Sequence, residues 1–153
     1  MRNKFDMQLE CLSEQLIHMG ELCEVAINRA TTALQHGSME EAKEVIRADE
    51  EIDQMEKDIE RLCLKLLLQQ QPVARDLRQI SAALKMITDM ERIGDHATDI
   101  SELAIVLSEK KYVKKLDHIE EMARETMVML IQSLEAYVEK DLDKAQKVIA
   151  HDD

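Results

Sequence analysis

The segment Asp89-Met-Glu-Arg-Ile-Gly-Asp95-His-Ala-Thr-Asp99 lies in the middle of a long helical pattern and contains two features that a helix disfavours. Glu91 and Asp95 are four residues apart, so on a helix their like charges lie one above the other and repel. Gly94 between them costs about 1 kcal/mol relative to alanine in a helix interior. Together they indicate a use, such as a cation held by the acids or a close approach of another backbone at the glycine. A solvated acidic face is the alternative interpretation.

Outward from this segment, apolar residues recur at alternating spacings of three and four, which predicts long helices with heptad seams. The 153 residues include only 3 Gly, 1 Pro and 2% aromatic residues, so the core must be aliphatic and the turns few. Helix 1 is predicted to end at Gly37, with Ser38 capping helix 2 and Glu41 completing a capping box. Pro72 is placed in the first turn of helix 3. The prediction is an all-α, antiparallel three-helix bundle.

The pattern of residues 39–50 recurs at residues 142–153, a shift of 103 residues. We therefore predict a first bundle over 1–109, a linker over 110–115 and the first part of a second, repeated bundle over 116–153. Helix 4 has a full apolar seam with no third helix to complete a second bundle around it. We expect it to pair with a second chain, as a homodimer, rather than to fold back on the first bundle.

Helix 2 carries its own acid pair, Asp49 and Asp53. In a hairpin that turns near Pro72, residues equally far from the turn lie level, which places Asp49 beside Asp95 and Asp53 beside Glu91. Carboxylates gathered in this way favour a cation between them. The predicted metal site comprises Asp49, Asp53, Glu91 and Asp95, and further ligands or supporting residues are sought among Asp89, Arg92, His96 and Asp99.

Oxygen ligands favour hard or borderline cations such as Mg, Ca, Mn or Fe over thiolate-preferring Zn. The predicted cofactor is a metal ion, one of Fe, Mn, Mg or Zn. His96 adjoins Asp95 but points about 100° away on a helix. The sequence has no Ser-His-Asp order, G-x-S-x-G, phosphate-binding glycine loop or H-E-x-x-H, so it does not predict an enzyme.

The formal net charge of -12 argues against nucleic acid or an anionic membrane face as a direct partner. Three widely spaced cysteines indicate neither a disulfide framework nor a thiolate metal site. The sequence shows no apolar run near the ~20 residues that span a bilayer and no signal-peptide core at its N-terminus. These features predict a cytoplasmic protein without direct membrane insertion.

Asp49-x-x-x-Asp53, Arg75-Asp-Leu-Arg78 and Asp89-Met-Glu-Arg-Ile-Gly-Asp-His96 in this order resemble the PhoU family of phosphate-transport accessory and regulatory proteins. The resemblance covers nearly the whole chain. It implies two tandem spectrin-type three-helix bundles, each with an acidic Glu/Asp-x-x-x-Asp motif able to bind metal clusters. It also implies a cytoplasmic protein that restrains phosphate uptake and the phosphate-starvation response by contacting the phosphate transporter and its sensor histidine kinase.

By position, Glu91 and Asp95 match the motif acids of helix 3, and Asp49 and Asp53 those of helix 2. Asp99 stands where the family often has Asn. The sequence ends at the counterpart of Glu50, so we expect the third helix of a second bundle and its motif to be missing here. A metal-dependent phosphohydrolase and a structural helical oligomerisation module are the alternatives to a regulatory accessory protein.

Overall fold

The computed structural model describes residues 2–110 and 115–153, and these are helical apart from short turns. The elements are α1 (Arg2–His36), α2 (Met39–Gln70), α3 (Ala74–Leu107), α4 (Asp117–Glu139) and α5 (Leu142–Asp152). The first three have 35, 32 and 34 residues, in agreement with the predicted long helices. The predicted all-α class is confirmed.

Helices α1, α2 and α3 share one aliphatic core along their seams. Its largest fully buried side chains include Leu12, Leu16, Met19, Ile52, Ile59, Leu66, Ile80 and Met90. Their spacings, such as three residues between Leu16 and Met19 and seven between Ile52 and Ile59, are those predicted for heptad seams. Burial of this continuous seam is what stabilises helices of such length, because propensity alone leaves an isolated helix marginal.

The turn between α1 and α2 forms at the predicted residues. Gly37 adopts a φ of +63°, and the Ser38 N–H donates to Ala33 O at 3.1 Å, which closes the end of α1. Ser38 Oγ accepts from the Glu41 N–H at 3.3 Å and caps α2. The reciprocal half of the predicted capping box is not needed, since the Ser38 N–H already has its partner in α1.

The turn between α4 and α5 repeats this arrangement 103 residues later. Lys140 adopts a φ of 56°, the Asp141 N–H donates to Ala136 O at 2.9 Å, and Asp141 Oδ1 accepts from the Lys144 N–H at 3.0 Å. The repeat detected in the sequence therefore recurs in the backbone hydrogen bonds.

The turn between α2 and α3 differs from the prediction at Pro72. The left-handed Gln71, with a φ of 42°, ends α2, and Val73, with a ψ of 162°, is still extended. Helix α3 therefore begins at Ala74, and Pro72 precedes the helix instead of forming its first turn.

The predicted linker over 110–115 lies mostly outside the described residues, since residues 111–114 are not among them. Lys110 and Lys115, which flank these four residues, are not helical. The domain boundaries placed there stay predictions.

Helix α4 folds back along α1, which corrects the expectation that its seam would leave its own bundle. Met127 and Leu134 are buried in the common core, and the Tyr137 hydroxyl donates to Gln79 O of α3 at 2.8 Å. Gly20 leaves room for this packing, because a Cβ there would require Leu134 Cδ1 to shift. The small residue leaves a recess on the outer face of α1 that the three-helix prediction did not take into account. The homodimer itself stays a prediction.

Helix α5 packs on α4, and none of its residues is buried. None of the helices in the described parts of the chain has the length and hydropathy needed to cross a bilayer.

Candidate metal centre

Three carboxylates from α2 and α3 meet at the predicted height of the hairpin. Oxygen atoms of Asp49, Asp53 and Asp95 all lie within 4.8 Å of one another. Asp49 and Asp53 are half-buried, and Asp95 is exposed. The two helices thus place the acids close enough to share one cation, as equal distance from the turn predicted.

Gly94 of α3 lies against α2 beside Asp49. A Cβ on Gly94 would lie 3.0 Å from Asp49 Oδ1 and 3.2 Å from Ile52 Cδ1, which is tight contact with α2. The glycine therefore provides the close approach proposed from the sequence, and it does so beside the acids. The helix-weakening residue and the acid pair serve one local arrangement.

Two oxygens of this group have no hydrogen-bond partner among the described residues. Asp49 Oδ1 and Asp53 Oδ1 are both shielded from solvent and unpaired. A buried carboxylate oxygen without a donor is costly, so a proton or a cation has to compensate it. An all-oxygen donor set with orphaned atoms fits a hard cation such as Mg, Mn or Fe.

The raised pKa values of the acids also indicate that negative charge in this group is unfavourable without a proton or a cation. Burial raises the pKa of Asp49 to about 6, and the charges of Asp53, Asp95 and Asp99 contribute to the rise. Burial also raises the pKa of Glu91 to about 7, with a hydrogen bond to Asp95 as the next cause. The group therefore holds protons close to neutral pH, and a cation binds in competition with them.

Glu56 belongs to this group and was missed in the sequence. Burial raises its pKa, and the charges of Asp53, Glu60 and Asp95 add to the effect. The signal was present, since Glu56 is three residues after Asp53 and seven after Asp49, on one stripe of α2. It was hidden among the many acids of the chain.

The remaining predicted residues occupy different places. Glu91 adjoins the three acids through Asp95 and Asp53, although its carboxylate is not one of the three within 4.8 Å. Asp99 acts on Asp49 by its charge, while its own side chain is 70% exposed and lies 4.0 Å from His96 Nδ1.

Asp89, Arg92 and His96 are exposed, and none of their charges acts on the pKa of Asp49 or Glu91.

A buried thiol lies beneath the acids. Cys23 Sγ donates to Met90 O at 3.3 Å, and burial, aided by the charge of Asp49, raises the pKa of this thiol to about 12. Cys23 therefore stays protonated at neutral pH and offers no thiolate. The donors of the candidate centre are carboxylates.

Comparison with known proteins agrees with this architecture. Residues 16–104 match the family model described as the PhoU domain. A phosphate-specific transport system accessory protein PhoU homolog from Aquifex aeolicus is 40% identical over 150 residues, which cover 98% of this chain and 68% of that protein.

Two solved structures are similar over nearly the whole chain. The crystal structure of PhoU from Pseudomonas aeruginosa matches with a TM-score of 0.90 and 33% identity, covering 97% of this chain and 71% of that one. The phosphate transport system regulatory protein PhoU from Streptococcus pneumoniae matches with a TM-score of 0.85 and 28% identity, covering 94% and 68% respectively.

Proposed function

Because the chain belongs to the PhoU family, we propose that it is a regulatory accessory protein of phosphate uptake. In this role it restrains phosphate transport and phosphate-starvation signalling from the cytoplasm, by contacting the transporter and its sensor histidine kinase. The supporting observation is the match over 98% of the chain to a protein named as an accessory of phosphate-specific transport. The name of the S. pneumoniae structure, which includes the word regulatory, supports the same role.

Gene expression in cells lacking the protein tests this proposal. With phosphate in excess, we expect the phosphate-starvation genes to be derepressed, and the wild-type chain to restore repression. Unchanged expression would contradict a regulatory role and leave a structural helical module as the better account.

The carboxylate geometry supports a second part of the proposal, a site for a divalent or trivalent metal ion. Asp49, Asp53 and Asp95 would hold the ion, with Glu91 and Glu56 beside them. The ion supplies positive charge that offsets the repulsion between the acids of α2 and α3. Since it binds the folded hairpin alone, it stabilises the bundle by linkage.

Elemental analysis and thermal melting test the metal site. We expect bound metal in the purified protein, and a melting temperature that rises when Mn, Fe or Mg is added after chelation. A metal-free protein whose melting temperature does not change with any of the three ions would contradict the proposed metal site. The acids would then be a solvated face.

One observation favours the alternative of a metal-dependent phosphohydrolase. Glu91, with a pKa of about 7, is suited to general acid or base catalysis near neutral pH. The match to proteins named as accessories of phosphate transport nevertheless supports a non-enzymatic role. We expect no metal-dependent hydrolysis of p-nitrophenyl phosphate; a rate of about 1 per second or more, abolished by Glu91→Gln, would favour the hydrolase.

The apolar surface of the α4–α5 hairpin supports a homodimer. Met122, Leu142 and Ile149 are 67%, 70% and 68% exposed on these two helices. Exposed apolar side chains on these two helices favour burial against a second copy. Light scattering coupled to size exclusion checks this, and a clean monomer at high concentration would contradict it.

A further inference from the structure

One end of the bundle combines exposed apolar residues with positive charge. We call it the turn end: residues 61–71 of α2 and its C-cap, residues 73–78 of α3 and its N-cap, and residues 3–7 of α1, which runs antiparallel to α2. Leu68 is 85% exposed, the highest value among the exposed large apolar side chains of the described residues. The others at this end are Met7, Leu64, Val73 and Leu77, which are 47% to 68% exposed.

Exposed cations surround these apolar residues. They are Lys4, Arg61, Lys65, Arg75 and Arg78. Arg61 pairs with Asp58 at 3.5 Å, and the acids at the turn end are Asp6 and Asp76. Residues 61–88 contain five basic residues and one acid, whereas the whole chain has a net charge of -12. The turn end is thus a locally basic region of an acidic protein.

The two apolar residues nearest the tip of the hairpin lie ahead of two of the cations, whereas Leu64 and Leu77 lie level with them. Leu68 and Val73 flank Pro72 at the tip, whereas Lys65 and Arg78 lie about one to two helical turns further back. Apolar tips that lead and cations that follow match the depth profile of a lipid surface, where the acyl boundary lies below the phosphate layer.

The acidic centre is too far away to cancel this charge. Asp49 precedes Lys65 by 16 residues on α2, and Asp95 follows Arg78 by 17 residues on α3, which are distances of about 24 and 26 Å at 1.5 Å per residue. Exposed charges are screened beyond about 8 Å at physiological salt. The net charge of the chain averages over these two regions, so the expectation that it disfavours an anionic membrane face does not apply to the turn end.

We propose that the turn end docks peripherally on an anionic phospholipid bilayer. Leu68 and Val73 enter the boundary between head groups and acyl chains, and Lys65, Arg75 and Arg78 contact the lipid phosphates. This contact requires no spanning helix, and it is independent of the regulatory role and the metal site proposed above.

Vesicle co-sedimentation of the whole chain tests the proposal, with EDTA present so that metal ions cannot bridge the acidic centre to lipid. We expect binding to vesicles of phosphatidylglycerol and phosphatidylcholine, weakening as salt rises, and little binding to phosphatidylcholine alone. Arg75→Glu with Arg78→Glu should weaken binding at least about 20-fold, since each cation near such a surface contributes about fivefold.

Matched variants at other sites serve as controls. Leu68→Ser with Val73→Ser should weaken binding, whereas Leu103→Ser with Val106→Ser should not, although Leu103 and Val106 are also exposed, at 58% and 66%. Lys43→Glu with Lys147→Glu is the charge-matched control and should bind normally. Circular dichroism confirms that each variant folds.

Two results would overturn the proposal. The first is no binding to anionic vesicles at any lipid concentration. That result would favour an acidic protein surface as the partner of the turn end. The second is equal loss of binding in the turn-end and control variants, which would mean that only overall charge matters.

Discussion

The α1–α2 and α4–α5 hairpins have turns of the same type, but they differ in which helices pack against them. Both turns combine a left-handed residue with a side-chain cap, at Gly37 and Ser38 in one and at Lys140 and Asp141 in the other. The first hairpin is closed by α3, and its core residues are buried. The second meets α1 through α4, and none of the residues of α5 is buried. Local sequence therefore sets the turn, whereas the third helix sets the burial and the stability.

The same residue type at equivalent positions separates the two hairpins most clearly. Met19 is fully buried, whereas Met122, its counterpart 103 residues later, is 67% exposed. Met19→Ala should lower the free energy of unfolding by about 2–5 kcal/mol, because it leaves a cavity in the core. At protein concentrations where the chain is monomeric, Met122→Ala should change it by less than about 0.5 kcal/mol. Urea unfolding followed by circular dichroism measures both, and similar losses would mean that the hairpins are equally covered.

The acids of α2 and α3 make the stability of the bundle depend on pH. Asp49 and Glu91 have folded-state pKa values of about 6 and about 7, above their ordinary values, so the folded state binds more protons than the unfolded state. The stability of the metal-free protein should therefore fall as pH rises from about 4 through about 7. The loss is on the order of 1 kcal/mol once solvent screening of these partly exposed groups is allowed for.

Unfolding titrations in EDTA at several pH values check this dependence. Asp49→Asn should flatten the profile, because it removes one of the groups with a raised pKa. Asp152→Asn, at the equivalent position in the α4–α5 hairpin, should leave the dependence of stability on pH unchanged. A flat profile in the wild-type protein would contradict the electrostatic account of the centre.

The two helix caps should have different consequences despite their similar geometry. Ser38→Ala should lower global stability by about 1 kcal/mol, because α2 unfolds together with the bundle. Asp141→Ala should leave global stability unchanged and remove hydrogen-exchange protection from α5 alone. If Asp141→Ala were to cost as much as Ser38→Ala in urea unfolding, α5 would belong to the same cooperative unit as the bundle.

The sequence predicted what depends on local chemistry and spacing. The heptad seams placed the core, Gly37 and Ser38 placed the first turn, and equal distances from Pro72 placed Asp49 beside Asp95. These features depend only on neighbouring residues or on simple helix geometry, so a single sequence is enough to predict them.

The features that were missed depend on tertiary context. Nothing in the sequence around Gly20 distinguishes it from another small residue. Only the folded structure shows that Leu134 of α4 occupies the space beside it. In the sequence Glu56 cannot be distinguished from the other acids of the chain, because its proximity to Asp95 depends on the packing of α3 against α2. Helix α3 begins two residues after Pro72 because Val73 stays extended.

Mn²⁺ binding, followed by the EPR signal of the free aqueous ion, tests whether the α2–α3 register builds a metal site. Asp49→Asn with Asp95→Asn removes one acid from each helix, and Asp89→Asn with Asp152→Asn makes the same change in charge at exposed positions. We predict that the wild-type and control proteins bind Mn²⁺ alike, and that the Asp49 and Asp95 double variant binds it more than about tenfold more weakly. Equal weakening in both double variants, or free Mn²⁺ throughout with the wild-type protein, would contradict the account.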